Sequence, residues 1–178
     1  MARRVDYDQI ATHYDRRYQE NDYSGVEVAL IAFVGEHFDQ RVLEVGCGTG
    51  HWLRSFGASG IRVAGLDAPA QMLAHAKSQA PGAALVQGSA ESLPWTSESF
   101  DRIFCISAFH HFLDKVACLT EARRVLRPGG LMMTVGLDPH AGVDQWNGRT
   151  RFAQMPRGTD VVPTSDSVRT ELLMCARG

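Results

Sequence analysis

The stretch LEVGCGTGHW, Leu43 to Trp52, decides how the rest of the chain is read. It leaves a run of strand-forming residues and then sets glycines at alternate positions, Gly46, Gly48 and Gly50. Glycine costs backbone entropy inside an element, so three in five residues imply a close approach to the main chain. A glycine loop that ends a strand and opens a helix also presents backbone N–H groups, which favour a phosphate or carboxylate.

Working outward, short apolar runs alternate with helical patterns. RVLEVG (41–46), IRVAGLD (61–67), AALVQ (83–87), FDRIFCIS (100–107) and LMMTVG (131–136) read as five strands. HWLRSFG, PAQMLAHAKSQ and LDKVACLTEARRVL carry helical spacing between them. In the last of these, Val116, Leu119, Ala122, Arg123 and Leu126 form the expected inward stripe, and Pro128-Gly129-Gly130 ends the helix. Such alternation predicts a doubly wound, mostly parallel α/β sheet with helices on both faces. Its ligands sit beyond the carboxyl ends of the strands, where the strand order reverses.

Two helical patterns precede the sheet. DYDQIATHYDRRYQE (6–20) places Tyr7, Ile10, Ala11, Tyr14 and Tyr18 at helical offsets, and VEVALIAFVGEHF (26–38) is apolar enough to pack on the sheet. After Leu137 the period fades: residues 138–163 read as a loop, and 164–176 as a helix capped by Ser165 or Asp166, with Val168, Leu172 and Cys175 inward.

Bulk properties exclude several classes. The chain has 178 residues, a formal net charge of −2 and a pI near 6.4, so no basic excess points to nucleic acid or an anionic membrane. No apolar run approaches the roughly 20 residues of a membrane span, and MARRVDYDQI lacks the apolar segment of a secretory leader. The cysteines Cys47, Cys105, Cys118 and Cys175 form no C-x-x-C pair, which predicts buried thiols in a reducing, cytoplasmic setting and no metal site.

The strand ends supply the chemistry. Asp67 closes strand two, where a carboxylate can accept from both hydroxyls of a ribose. After strand three comes QGSAESLPW (87–95). Ser89 and the Ala90 backbone can meet the edge of a base, with Leu93, Pro94 and Trp95 as walls and Met72 on its opposite face. These groups suit a nucleoside beside an anionic group, in either a nicotinamide dinucleotide or S-adenosylmethionine. Dinucleotide loops read G-x-G-x-x-G, whereas here the third glycine falls one position earlier.

Taken in order, VLEVGCGTG, GLDAPAQMLAHAK, QGSAESLPW, FDRIFCISAFHHF and EARRVLRPGGLMMTV resemble the class I S-adenosylmethionine-dependent methyltransferases. The nearest group is the small-molecule branch related to quinone-biosynthesis methyltransferases (methyltransferase type 11). IATHYDRRY resembles that family's lid helix. The resemblance implies a Rossmann-like fold and S-adenosyl-L-methionine as cofactor. It implies that Glu44 and the loop Gly46, Cys47, Gly48 and Gly50 hold the methionine end, and that Asp67 binds the ribose. Ala68 and Met72 then line the adenine, Ser89 and Ala90 face its edge, Ile106 and Ser107 face the methionine part, and Tyr14 closes over the cofactor. The family usually carries aspartate where this chain has Ser89, a weaker acceptor for the adenine amine.

The implied function is methyl transfer to the oxygen, nitrogen or carbon of a small-molecule acceptor. A proton must leave such an acceptor, and His110 and His111, just past strand four, are the candidate catalytic bases. The alternatives are a non-catalytic S-adenosylmethionine-binding protein and a nicotinamide-dependent oxidoreductase. The expected organisation is one domain, 1–178, with a lid (1–25), a cofactor-binding core (41–137) and an acceptor-side segment with terminal helix (138–178). In that segment Trp146, Arg149, Arg151 and Phe152 are acceptor-pocket candidates. The family's strand six–seven hairpin is expected to be absent, which leaves the edge of strand five open to a homodimer partner, to cover by residues 138–163, or exposed in a marginal, truncated product.

Overall fold

The computed structural model describes residues 6–35, 39–57, 59–136, 150–154 and 170–176, the last two stretches as backbone. Helical segments Tyr7–Ile10 (α1) and Arg17–Glu20 (α2) flank a 3-10 stretch, Ala11–Arg16, and Ser24–Val34 (α3) follows. The sheet then begins: Arg41–Val45 (β1), His51–Gly57 (α4), Arg62–Asp67 (β2), Ala70–Gln79 (α5), Ala84–Gln87 (β3) and Phe100–Ile106 (β4). After a 3-10 turn at Phe109–His111 come Lys115–Val125 (α6), Leu126–Val135 (β5), Thr150–Gln154 (β6) and Thr170–Ala176 (β7).

The strand order is β3-β2-β1-β4-β5-β7-β6, and β1 to β5 run parallel. The chain steps outward from β1 to β3, then crosses back to β4 beside β1. That reversal puts a crevice above the carboxyl ends of β1 and β4.

Strand alternation explains the two cores. Val42, Phe104 and Met133 face one side, against Leu30 and Phe33 of α3 and Trp52, Leu53 and Phe56 of α4. Leu43, Ile103 and Met132 face the other, against Cys118, Ala122 and Val125 of α6. Both faces are covered, so the strands read as continuous apolar runs. Asp114 caps α6 by accepting the Ala117 N–H at 2.9 Å. The inward stripe of α6 is shifted from the expected one: Ala122 and Leu126 are buried and Leu119 packs on the core as expected, whereas Val116 is 74% exposed, Arg123 is exposed, and Cys118 and Val125 are buried instead. The cap at Asp114 turns Val116 outward and brings the i, i+4, i+7 set from Cys118 onto the sheet.

The terminal helix expected over 164–176 is corrected. Thr170–Ala176 is a strand, antiparallel to β5, with Leu131 opposite Ala176 and Met132 opposite Cys175. The expected absence of further strands is corrected with it. β7 occupies the β5 edge, and β6 lies parallel beside β7, so the added pair is not a hairpin. The unpaired N–H and C=O groups of β5 supply the reason, since a local helical pattern yields to pairing on an open apolar edge. Leu131 and Met132 are therefore paired within the chain by β7, and not by residues 138–163. The cap candidates Ser165 and Asp166, with Val168, lie outside the described residues, as do Trp146 and Arg149; Arg151 and Phe152 fall in β6.

Candidate cofactor and acceptor site

The three glycines of the opening loop differ in role. All have positive φ: +77° at Gly46, +52° at Gly48 and +79° at Gly50. A side chain at Gly46 would collide with the Ala108 methyl, and one at Gly50 would meet Ala76 of α5 at 3.0–3.1 Å. Those two glycines let protein pack on protein. At Gly48 the nearest neighbour is the Tyr14 ring, 3.6 Å away, so a methyl there has room; Gly46 and Gly48 both line the cavity.

The anion that the loop's N–H groups attract is part of the chain. The Gly48 N–H donates to the Asp67 carboxylate (2.5 Å), and the Gly46 and Cys47 N–H groups donate to the Leu66 carbonyl (2.8 and 3.1 Å). The other Asp67 oxygen accepts from the Ala68 N–H at 2.8 Å. Each oxygen then keeps a lone-pair direction for one hydroxyl of a diol. Burial raises the Asp67 pKa, and the Gly48 and Ala68 N–H groups oppose that rise.

A cavity of about 750 Å³ opens above these groups, within the roughly 300–1,000 Å³ of small-molecule sites. Ten sequence-predicted cofactor residues reach it from four strand ends and the N-terminal segment: Tyr14, Gly46, Gly48, Asp67, Ala68, Met72, Ser89, Ala90, Ile106 and Ser107. His110 and His111 also line it. Ser107 has φ +53°, an uncommon conformation for a residue with a side chain, at the tip of β4. Its N–H donates to Val135 O at 2.6 Å, which holds that tip in place.

Glu44 at the end of β1, and Cys47 and Gly50 of the loop, do not line the cavity. Glu44 is 1% exposed, and its Oε2 has no hydrogen-bond partner among the described residues. Burial, and then the Asp67 charge, push its pKa well up. Cys47 is a buried thiol whose pKa is likewise raised by burial, so it packs and does not react. Leu93, Pro94 and Trp95 do not wall the cavity as expected. Leu93 is buried in the α6 core, its N–H donates to Glu121 (2.8 Å), and Arg124 takes the carbonyls of Leu93 and Trp95 (2.9 and 2.7 Å). The polar ends of α6 satisfy that loop's backbone and draw it away from the cavity.

The N-terminal segment from α1 to α2 brings residues that the sequence reading left unassigned. Tyr7 stands seven positions before Tyr14, hence on the same helix face, which is the signal that could have found it. Its hydroxyl shares a 2.6 Å hydrogen bond with His111 Nε2. Asp8 accepts the Gln71 N–H of α5 at 2.8 Å, and Asp15 accepts from both the Thr49 hydroxyl and the Gln79 amide. Tyr18 stacks on His51 with ring centroids 3.6 Å apart. Arg17 donates to the Tyr14 hydroxyl (2.5 Å) and the Tyr23 hydroxyl (3.0 and 3.1 Å). Burial, with Lys115 and Arg17 nearby, lowers the His110 pKa, so its imidazole is neutral at pH 7.

The donor set fits an adenosine that bears a sulfonium amino acid. Asp67 has acceptors for a diol, and Glu44, one of whose carboxyl oxygens has no partner among the described residues, lies next to the loop. Asp6, Asp8, Asp67 and Glu91 line the cavity, and no lysine or arginine appears among its described lining residues. A cation is favoured there, and a pyrophosphate would find neither a basic side chain nor the Gly46 and Gly48 N–H groups unengaged. Among the described residues no cluster suits a metal ion, and no helix is long and apolar enough to cross a membrane.

Comparison with known proteins agrees with this geometry. Residues 43–134 match the family model described as Methyltransferase domain (type 11). The chain is 34% identical over 119 residues to a malonyl-[acyl-carrier protein] O-methyltransferase of Pectobacterium atrosepticum, covering 67% of this chain and 46% of that protein. It is 35% identical over 126 residues to the Bacillus subtilis methyltransferase YcgJ, covering 68% and 49%. The crystal structure of YcgJ superposes with a TM-score of 0.61 at 31% identity over 65% of this chain and 51% of that one. The chain thus spans about half the length of the curated relatives it matches. The family match sets aside the nicotinamide alternative: the chain belongs to the class I S-adenosylmethionine-dependent methyltransferases of the type 11 branch.

Proposed function

We propose that this protein transfers a methyl group from S-adenosylmethionine to a small-molecule acceptor. One observation carries the reading: a single cavity joins the nucleoside-binding carboxylate Asp67 to the Tyr7–His111 pair and His110. Asp67 holds the ribose, Met72 and Ala68 line the adenine, Ser89 and Ala90 face its edge, and Gly48, Ile106 and Ser107 border the methionine part. Gly46 and Gly48 border the amino-acid end, and Glu44 supports their loop from behind. When bound, the cofactor supplies an electrophilic methyl on a sulfonium. The chain's own residues hold the acceptor in line and exclude water, a gain by proximity and orientation. Residues 1–25 act as the lid, 41–137 as the cofactor core, and 138–178 shape the acceptor side.

The histidine pair takes the acceptor's proton. His110 is neutral at working pH, as a base must be. Tyr7 engages His111 Nε2, which orients that ring and ties the lid to it. The names of the relatives support an acceptor outside the nucleic acids, since one acts on malonyl-acyl carrier protein and another, from Mycobacterium leprae, on phthiotriol dimycocerosates. The test is formation of S-adenosylhomocysteine with a panel of phenols, amines, carboxylates and quinol precursors. With the acceptor so found, His110→Asn, His111→Asn and Tyr7→Phe are compared by kcat. A kcat that rises with pH through an inflection below histidine's ordinary 6.5, and loses that inflection in His110→Asn, is expected. Unchanged turnover in both histidine variants would make the pair structural. No product from any acceptor, with the cofactor bound, would favour the non-catalytic alternative.

A further inference from the structure

We propose that Ser89 and Glu91 act together as one charge-assisted acceptor for the exocyclic amine of adenine, and so set the base specificity of the cofactor site. The inference rests on the placement of adenine beside Ala68, Met72 and Ala90. Both residues line the cavity there, just beyond β3. The Ser89 hydroxyl donates its only proton to Glu91 Oε2, and the Glu91 N–H lies 3.4 Å from Ser89 Oγ as a second, long contact. A hydroxyl has one proton and two lone pairs, so one lone pair remains for a donor in the cavity. A hydroxyl that donates to a carboxylate becomes a stronger acceptor, because the bond shifts electron density onto its oxygen.

Glu91 is built to carry that charge. Its Oε1 accepts the N–H groups of Leu113 (2.8 Å) and Asp114 (3.3 Å), across the cavity rim from Ser89. The Ser89 hydroxyl first, then these backbone donors, hold its carboxyl below the usual range, so it is ionised at neutral pH. The carboxylate is thereby fixed in place, and its effect reaches the ligand through Ser89. An amine on the base meets an electron-rich oxygen, whereas a carbonyl at the same position would face it lone pair to lone pair.

Calorimetry with S-adenosylhomocysteine and S-inosylhomocysteine, which replaces the amine by a carbonyl, tests this directly. Wild type is expected to prefer the adenine compound by about tenfold or more, in line with sites built to bond a polar group. Glu91→Gln and Ser89→Ala should each cut that ratio by roughly three- to tenfold, the difference between charged and neutral hydrogen bonds. The double variant should cut it no further, because the two residues form one acceptor. Ser89→Asp combined with Glu91→Gln should restore it by supplying the charge directly. Damage to the loop would weaken both ligands alike, so the ratio isolates the base edge. A wild-type ratio near one would overturn the adenine placement itself. A large wild-type ratio kept intact in Glu91→Gln, or additive losses in the double variant, would overturn the pair and leave the placement standing. If Glu91→Gln binds neither compound, the Ser89→Asp/Glu91→Gln protein decides: regained binding with adenine preference supports the pair, and no regain refutes it.

Discussion

Replacing Gly46, Gly48 and Gly50 one at a time by alanine separates packing from ligand approach. All three sites carry positive φ, and forcing an L-residue there costs roughly 1–2 kcal/mol. At Gly50 a methyl also meets Ala76 Cβ at 3.0 Å and the Ala76 backbone at 3.1 Å. Backbone cannot swing aside as a long side chain can, so overpacking adds about 1–3 kcal/mol. Gly50→Ala should therefore lose about 2–5 kcal/mol, the sum of the two effects. Gly46→Ala should fall in the same class, since its methyl would overlap that of Ala108. Gly48→Ala meets only the Tyr14 ring at 3.6 Å, an ordinary contact, and should lose about 1–2 kcal/mol from backbone strain alone. Urea unfolding monitored by circular dichroism reads these losses as shifts in midpoint at constant slope. The order reverses for cofactor binding, measured by calorimetry on the folded proteins: Gly48→Ala perturbs the N–H held by Asp67 and intrudes on the cavity, so it should weaken S-adenosylhomocysteine most relative to its stability loss. Equal destabilisation by Gly48→Ala and Gly50→Ala, or a Gly50→Ala protein within about 0.5 kcal/mol of wild type, the ordinary surface range, would refute the assignment of roles.

Three further outcomes are expected. Asp67→Ala removes the acceptor for a ribose diol and should weaken S-adenosylhomocysteine at least about tenfold by calorimetry, because charged hydrogen bonds contribute about 1.5–3 kcal/mol each; an unchanged affinity would remove Asp67 from the site. Glu44 holds its proton in the folded state well above the ordinary glutamate value of 4.5. The folded chain then binds more protons than the unfolded chain above that pH, so Glu44 contributes stability that is present below about 4.5 and is lost as pH rises through its folded pKa. Glu44→Gln should flatten the decline in urea midpoint as pH rises above about 5, leaving the smaller decline of the same sign from Asp67; an identical decline in the variant would show that Glu44 is ionised when folded. Asp15→Asn weakens the hold of the N-terminal segment on Thr49 and Gln79, so cleavage of that segment by a non-specific protease should quicken while the urea midpoint moves by less than about 1 kcal/mol equivalent; equal protease resistance would mean that the segment is held elsewhere.

Much of this protein is local in origin. The five parallel strands were legible because each is a short run of residues buried on both faces, as Val42 and Leu43 show on opposite sides of β1. Asp67 was legible because the end of a strand next to a glycine loop is where a doubly wound sheet exposes side chains to a ligand. The alternating pattern and the glycine spacing sit within a few residues of one another, so chain order alone carries them. Contacts that join distant segments do not show in such patterns. The Tyr7–His111 bond spans 104 positions. Leu93 to Trp95 turned from the cavity because Glu121 and Arg124, on a helix that follows later, satisfy their backbone. Thr170–Ala176 has a helical local pattern, yet it became a strand because the open edge of β5 offered hydrogen bonds that a solvated helix could not match. Sequence determined which elements form and which strand tip bears the carboxylate. Tertiary packing alone decided what each of three like glycines meets, since that depends on what the fold brings beside each one: Ala108 at Gly46, Tyr14 at Gly48 and Ala76 at Gly50.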